Sequence, residues 1–417
     1  MTFIDFKQQQ LHLENVPATD LAEQYGTPLY AYSKAQLLAN WHRFERYWPS
    51  PHKLCYAVKA NSNLAILQLL AEQGAGFDIV SAGELKRVLA AGGKAELAVF
   101  SGVAKSVDEI TFALKQGIGC INVESAAELE RIQDIAKSLG VMAPVSLRVN
   151  PDVDAQTHPY IATGMKANKF GIAMADAMPV FRRAAALDNI NLLGADCHIG
   201  SQIMTSAPFL DAAQRMFKLV DELKAEDILL SHLDLGGGFG VSYEETSELD
   251  LEAYLTGVLA LAEAHPQLTL MLEPGRAVVA DAGVLITRVE YLKETADKKF
   301  ALVDAGMNDL LRPSLYQAWH DIVAVNENKN GRDRLVDVVG PVCETGCFLG
   351  HARHLTVNSG DLLAVKHAGA YGFTMSSNYN TRARPVEILV DGADSFIIRE
   401  RETFNDLIRG ERLLERK

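Results

Sequence analysis

The chain has 417 residues, more than one core ordinarily organises, so two domains are expected. Its 48% hydrophobic and 22% charged residues suit a globular protein; no apolar run approaches the roughly 18 residues that span a bilayer, and no basic apolar leader opens the sequence, so neither a membrane nor a secretory path is expected. A net charge of −13 argues against nucleic acid as a main partner, because binding phosphate needs a basic face.

The first strand-like piece is "PLYAYSKAQL", which begins at Pro28. Regular alternation follows. The apolar or β-branched runs Leu54–Val58, Phe77–Val80, Leu97–Phe100, Cys120–Val123, Val145–Val149, Asn191–Cys197, Leu230–Leu235 and Leu268–Leu272 are each expected as strands. The first seven are followed by a helix-period stretch, such as "LAILQLLAEQG" or "AAELERIQDIAKSLG". Gly74, Gly92, Gly117 and Gly140 sit where helices should end. Eight β-then-α units over about 220 residues are the number and size of a (β/α)8 barrel, whereas a doubly wound open sheet would stop near six strands. After residue 280 strands alternate without long helices, as in "KKFALVDAG", "RLVDVVGPVC" and "PVEILVDG". That texture reads as a mostly antiparallel β domain. The expected division is a barrel over 30–280 and a β domain over 281–417, which the N-terminal segment 1–29 joins.

Barrel enzymes place their chemistry at the C-terminal ends of the strands. Lys59 stands after the first, Asp78 and Ser81 at the second, and Arg148 and Asn150 at the fifth. His198, in "CHIGSQ", ends the sixth. The seventh runs into "GGGFG" from Gly236 through Gly237 and Gly238 to Gly240, and the eighth ends at Glu273 in "EPGR". Each has a bland alternative: a plain loop for the glycines, an ion pair for Glu273, a satisfied core position for His198, a salt bridge to Asp78 or Glu273 for Lys59. Their coincidence on one rim supports a sharper reading. Glycines after the seventh strand let backbone N–H groups approach a phosphate, and Gly275 and Arg276 open a helix-like "RAVVADAG" whose start adds donors. A carboxylate can hold a pyridinium N–H, and a histidine can stack on such a ring. A buried lysine, its pKa lowered, can condense with an aldehyde. Together these describe a pyridoxal phosphate site.

The five cysteines (Cys55, Cys120, Cys197, Cys343, Cys347) are few and odd in number, which suits a reducing cytoplasm better than a disulfide framework. Cys343 and Cys347 have a spacing that can start a metal site, but no second Cys or His pair completes one, and no metal is expected. The extended stretch 151–171, "PDVDAQTHPYIATGMKANKFG", is long for a loop in a compact domain and is expected to help close the site.

The motifs "YAVKAN", "FDIVSAGEL", "HIGSQ", "DLGGGFG", "EPGR", "CETG" and "GAYGFTMSSNYN" occur in this order over nearly the whole chain. In them the sequence resembles the barrel-type pyridoxal phosphate decarboxylases, and most closely the members acting on meso-2,6-diaminopimelate to yield L-lysine. The resemblance implies a barrel with a C-terminal β domain, a pyridoxal 5'-phosphate cofactor and a homodimer with shared active sites. It implies that Lys59 carries the cofactor, that His198 stacks on it and that Ser201 helps hold its phosphate. Gly236–Gly238 and Glu273–Arg276 would bind phosphate and ring nitrogen. Cys343 would be the general acid, given to the neighbouring subunit's site, and Tyr371 would touch phosphate and substrate. Arg276, Arg312, Tyr316 and Glu344 would contact substrate, Arg312 meeting the distal carboxylate as a fork-shaped cation can. Family members often carry an acidic residue where Cys347 stands, which leaves its role open. The nearest alternatives are a decarboxylase of the same fold for ornithine, arginine or carboxynorspermidine, a racemase on the same barrel, and a non-catalytic regulator. A racemase lacks "CETG"; a regulator would be expected to lose Lys59 or Cys343.

Overall fold

The computed structural model describes residues 3–153, 169–244, 249–327 and 333–414. Two compact units divide the chain. One runs between Asn40 and Val278; the other takes the chain up to Ala39 and from Val279 onward, together with Tyr243.

The first unit is a closed parallel barrel of eight strands: β1 (Lys53–Ala57), β2 (Gly76–Ile79), β3 (Ala98–Phe100), β4 (Cys120–Val123), β5 (Ala143–Asn150), β6 (Ile190–Asp196), β7 (His232–Asp234) and β8 (Thr269–Leu272). Each pairs in parallel with the next. β8 closes on β1 through Leu272↔Leu54. The strands are buried nearly throughout, which explains their unbroken apolar runs: barrel interior lies on one face and helices on the other. The helices Leu64–Glu72, Ala82–Ala90, Val107–Lys115, Ala126–Leu139, Met174–Ala185, Ala207–Lys224 and Leu251–Ala262 follow β1 to β7 in turn.

Local chemistry sets the helix ends. Ser81, Ser106 and Ser125 accept the backbone N–H of Glu84, Glu109 and Glu128 from N-cap positions, and Ser106 with Glu109 forms a reciprocal capping box. Ser81, which the sequence places among the rim candidates, is thus occupied in capping its helix. Gly74, Gly92, Gly117 and Gly140 lie just past helix ends with φ of 79°, 85°, 71° and 66°, left-handed geometry that a side chain would oppose. The segment after Glu273 departs from expectation: only Arg276–Val279 is helical, a single turn. One turn aligns too few peptide dipoles to act as the anion-attracting helix start that "RAVVADAG" suggested.

The second unit is built on a mostly antiparallel sheet. Its spine is the long strand Gly283–Glu294, which pairs antiparallel with Leu29–Ser33, Leu362–Val365 and Lys299–Val303. Val386–Asp391 and Asp394–Arg399 extend it on one side, Asp333–Val339 and Phe348–Thr356 on the other. Two pairings are parallel, Lys299–Val303 with Asp333–Val339 and Leu29–Ser33 with Val386–Asp391. Leu13, Leu21, Leu29, Val284, Ile286 and Ile388 form part of its core. Among the described residues, no helix is long and apolar enough to cross a membrane.

Candidate active site

Lys59 lies in the 3-10 turn Val58–Ala60 that leaves the C-terminal end of β1. Its Nζ donates to Asp78 Oδ2 at 2.5 Å, and Asp78, on β2, is fully buried. The lysine side chain itself is 37% exposed. The side chain is therefore less buried than the sequence reading expected: the strand ends at Ala57, and the turn carries Lys59 to the rim, against a carboxylate.

Next to that pair the barrel gathers three more carboxylates. Asp196 ends β6, Asp234 ends β7 and Glu273 follows β8. All are buried, with oxygens from each lying within 4.8 Å of one another. Two full charges at that separation repel by about 3.5 kcal/mol at an effective dielectric of about 20. Burial, and then the neighbouring carboxylates, push Glu273 well above the ordinary carboxylate range; Asp196 is raised for the same reasons and Asp234 mainly by burial. The nearby arginine is shared between carboxylates. Arg148, on β5, donates from Nη1 to Glu124 Oε1 at 2.7 Å and brings Nε to 3.7 Å from Asp196. Ser101 Oγ donates to Glu273 Oε1 at 3.4 Å.

The glycine run is packed into the rim. A Cβ on Gly237 would stand 2.1 Å from the Glu273 carbonyl oxygen, and one on Gly238, at φ +102°, 2.2 Å from the Gly200 oxygen. Gly236 donates its N–H to Asp234 Oδ1 at 2.9 Å, and Gly237 donates to His198 Nδ1 at 3.2 Å. Two of the three N–H groups expected to cradle a phosphate are therefore spent on orienting Asp234 and His198. The Gly238 N–H makes no hydrogen bond among the described residues. His198 Nδ1 is an acceptor, which puts the proton of the neutral ring on Nε2. Burial, with Arg148 and Lys59 nearby, lowers the His198 pKa well below its usual value, so the ring is neutral at pH 7. Arg276 Nη2 donates to Ser201 Oγ at 3.1 Å. Gly275 leaves room for Ala57 and Ala60, which its Cβ would approach to 2.9 and 3.2 Å, and Ala57 donates its N–H to Pro274 O. The loop after β8 thus seats directly on the turn that carries Lys59.

The remaining candidates belong to the second unit. Arg312 opens the short helix Arg312–Tyr316 and is buried. Its Nη1 meets His320 Nε2 at 2.7 Å, and its guanidinium lies 4.6 Å from the Tyr243 ring centre. His320 Nδ1 lies 2.9 Å from the Lys366 oxygen and donates to it, leaving Nε2 to accept from Arg312. Ser314, on the same helix turn, donates to Gly346 O at 2.7 Å and so ties it to the "CETG" loop. There Cys343 is exposed, its N–H donating to Asn380 Oδ1 at 2.6 Å, and the exposed Glu344 accepts from Tyr379 OH at 3.4 Å. Cys347 is buried, and its Sγ accepts the Met307 N–H at 3.3 Å. Tyr316 is half-buried. Tyr371 adopts φ +56°, an uncommon backbone for a bulky residue and one that collects at functional sites.

The structure thus brings Lys59, Asp78, His198, Ser201, Gly236–Gly238, Glu273, Gly275 and Arg276 to one barrel rim. It brings Arg312, Tyr316, Cys343 and Glu344 into two linked turns of the second unit. Asp196 and Asp234 were missed in the sequence, although each stands within two residues of a quoted motif residue, in "ADCHIGSQ" and "DLGGGFG". Most of the expected closing stretch, 154–168, lies outside the described residues.

Residues 34–280 match the family model of the pyridoxal-dependent decarboxylases, pyridoxal binding domain. The chain is 54% identical to the diaminopimelate decarboxylase of Vibrio cholerae over 409 residues, 98% of each chain. It is 54% identical to that of Pseudomonas aeruginosa over 99% of this chain and 100% of the other. Among solved structures, diaminopimelate decarboxylase from M. jannaschii in complex with L-lysine superposes with a TM-score of 0.94 at 36% identity, covering 99% of both chains. The Helicobacter pylori enzyme with L-lysine gives 0.90 at 42%, covering 94% of this chain and 98% of that one.

Proposed function

This chain belongs to the pyridoxal-dependent decarboxylases, and we propose that it releases CO2 from meso-2,6-diaminopimelate to leave L-lysine, with pyridoxal 5'-phosphate as cofactor. The observation that carries the reading is the convergence on one barrel rim of a half-exposed lysine amine, a buried carboxylate, a ring-fixed neutral histidine and an anion-ready edge of Gly238, Ser201 and Arg276. Those groups fit the cofactor's chemistry: an amine for an aldehyde, an acid for a ring nitrogen, a flat ring for a ring face, and donors for a phosphate. When bound, the cofactor supplies an electron sink for the pair left behind by CO2.

The chain's own residues supply the rest. Lys59 Nζ, which Asp78 holds at the rim, would be the group that binds the cofactor covalently. Asp78 would supply the carboxylate partner of that amine whenever it is free. Glu273 would hold the proton of the cofactor's ring nitrogen. His198, with Nδ1 fixed by the Gly237 N–H, presents its ring face without adding a charge. Ser201 and Arg276, joined on the β6 and β8 loops, would hold the cofactor's phosphate, and Tyr371 would contact phosphate and substrate. Arg312, preset by His320 and Tyr243, pairs with the distal carboxylate, while Glu344 meets the distal ammonium and Tyr316 lines the substrate. Cys343 Sγ delivers a proton to the carbon that has lost CO2. Its exposure suits a residue offered to a neighbouring copy, as a homodimer with shared sites requires, and five free cysteines suit a reducing cytoplasm.

Turnover assays on purified protein with cofactor test the reading. Lysine and CO2 should form from diaminopimelate far faster than CO2 forms from ornithine or arginine. Faster release from ornithine would refute the substrate assignment.

A further inference from the structure

His320 is fully buried, and its two ring nitrogens meet partners of opposite kind. Nδ1 lies 2.9 Å from the Lys366 carbonyl oxygen, which can only accept, and Nε2 lies 2.7 Å from Arg312 Nη1, which can only donate. The first contact puts a hydrogen on Nδ1; the second requires a lone pair on Nε2. Only one neutral tautomer satisfies both. The surroundings hold the ring in that pose. Arg353 Nη2 donates to the His320 carbonyl oxygen at 2.9 Å, and Tyr243 meets the imidazole edge-on, 5.1 Å between ring centres, while lying 4.6 Å from the Arg312 guanidinium. All these residues belong to the second unit.

We propose that the Nε2 lone pair of His320 is what holds Arg312 toward the substrate's distal carboxylate, making His320 a positioning residue for substrate choice that works only in its neutral form. A proton on Nε2 would set N–H against N–H and imidazolium against guanidinium, and Arg312 would have to leave. The charged and titratable groups around the ring are Arg312, Arg353, Tyr243 with His367 beyond it, and Lys366, whose Nζ lies 3.8 Å from Asp321. Asp321 and Glu244 act in turn on Arg353. Arg312 and Arg353 thus touch the residue at ring and backbone, and both disfavour a further positive charge between them. Glutamine in place of His320 carries an amide oxygen that reaches where Nε2 stands; leucine has similar bulk and no lone pair.

The tautomer stands on this geometry alone; its service to a distal carboxylate rests on the function proposed above. Two measurements separate them. Nitrogen-15 NMR of the histidine-labelled full-length protein at pH 7, with the His320 signals assigned by their loss in His320→Gln, should show a protonated Nδ1 and a bare Nε2. The opposite tautomer, or two protonated nitrogens, overturns the proposal whatever the enzyme turns over. Equilibrium binding to cofactor-loaded protein is the second readout, comparing L-lysine with pentane-1,5-diamine, which lacks the distal carboxylate. His320→Gln should keep the ratio of the two affinities within about threefold of wild type, and His320→Leu should lower it at least about tenfold, as loss of a hydrogen bond to a charged group does. In the wild type the ratio should fall in step with the fraction of His320 that takes up a proton as pH is lowered, and in His320→Gln it should stay flat. A ratio unchanged in His320→Leu, or indifferent to His320 protonation, would refute the service to the distal carboxylate; if the leucine variant does not fold, the wild-type titration decides. Faster turnover of ornithine would remove the proposed substrate but leave the NMR result standing.

Discussion

Replacing Gly237 by alanine should damage the site through packing alone. The added Cβ would stand 2.1 Å from the Glu273 carbonyl oxygen and 3.0 Å from its carbonyl carbon, both backbone atoms with no rotamer to yield. Ordinary contact begins near 3.4 Å, so the two loops must part by about 1.3 Å. The same residue donates its N–H to His198 Nδ1, and Glu273 donates its own N–H to Gly236 O at 2.9 Å. Overpacking of this kind costs about 1–3 kcal/mol and a weakened hydrogen bond about 1 more, a total of about 2–4 kcal/mol. Urea unfolding followed by tryptophan fluorescence should register it, because Trp41 and Trp48 are buried in the barrel unit. Cofactor absorbance should fall as well, since Glu273 and His198 both shift. Gly346→Ala is the control: a Cβ there meets nothing within 4 Å, and stability should change by less than about 0.5 kcal/mol. If Gly237→Ala unfolds within 0.5 kcal/mol of the wild type and binds cofactor unchanged, the packed-rim argument fails.

Lys59→Ala should lose the cofactor's visible band and at least about a thousandfold in turnover, as loss of a covalent catalytic group does; a variant within tenfold would contradict the assignment. Mixing inactive Lys59→Ala and Cys343→Ala chains should restore up to about a quarter of wild-type activity, since half of randomly formed dimers are mixed and each carries one intact site. No recovery in verified mixed dimers would reject the shared site. Arg312→Lys should cut kcat/KM for diaminopimelate by about a hundredfold, because an ammonium cannot replace the fork held by His320 and Tyr243, while any weak turnover of ornithine changes little. Equal loss on both substrates would refute the distal-carboxylate role. Burial pushes His232 down to about 4, so its folded pKa lies below the unfolded value and its contribution is full above about 6.5. That contribution, about 3 kcal/mol at most, is lost as pH falls toward 4, and His232→Gln should flatten that part of the acid limb. An unchanged limb would show that His232 titrates normally.

The barrel was legible in the sequence because its strands are short, mostly apolar and largely buried, and because serine and glycine mark the ends of the helices that cover them. Cys120–Val123 has the expected bounds, and the others differ by a few residues. Lys59 was found by its position, but its environment was not: periodicity reports that a run is buried, not where the next turn sends a side chain. The glycine motif indicated close backbone approach, yet the direction of each N–H depends on partners brought from β6 and β7. Asp196 and Asp234 were invisible for a related reason. An aspartate at a strand end looks like an ordinary turn residue until neighbouring strands place a second and third carboxylate within reach. Arg312 was found as a candidate, but the contacts that preset it were not legible, because its partners His320 and Tyr243 come from separate segments, one of them far upstream in sequence.

The account's central claim is that one amine, on the turn after the first barrel strand, holds the cofactor. Borohydride reduction of the cofactor-loaded protein, followed by peptide mass mapping, should place the covalent tag on Lys59 and on no other lysine. A tag on a different lysine, or none in protein that has bound the cofactor, would contradict it.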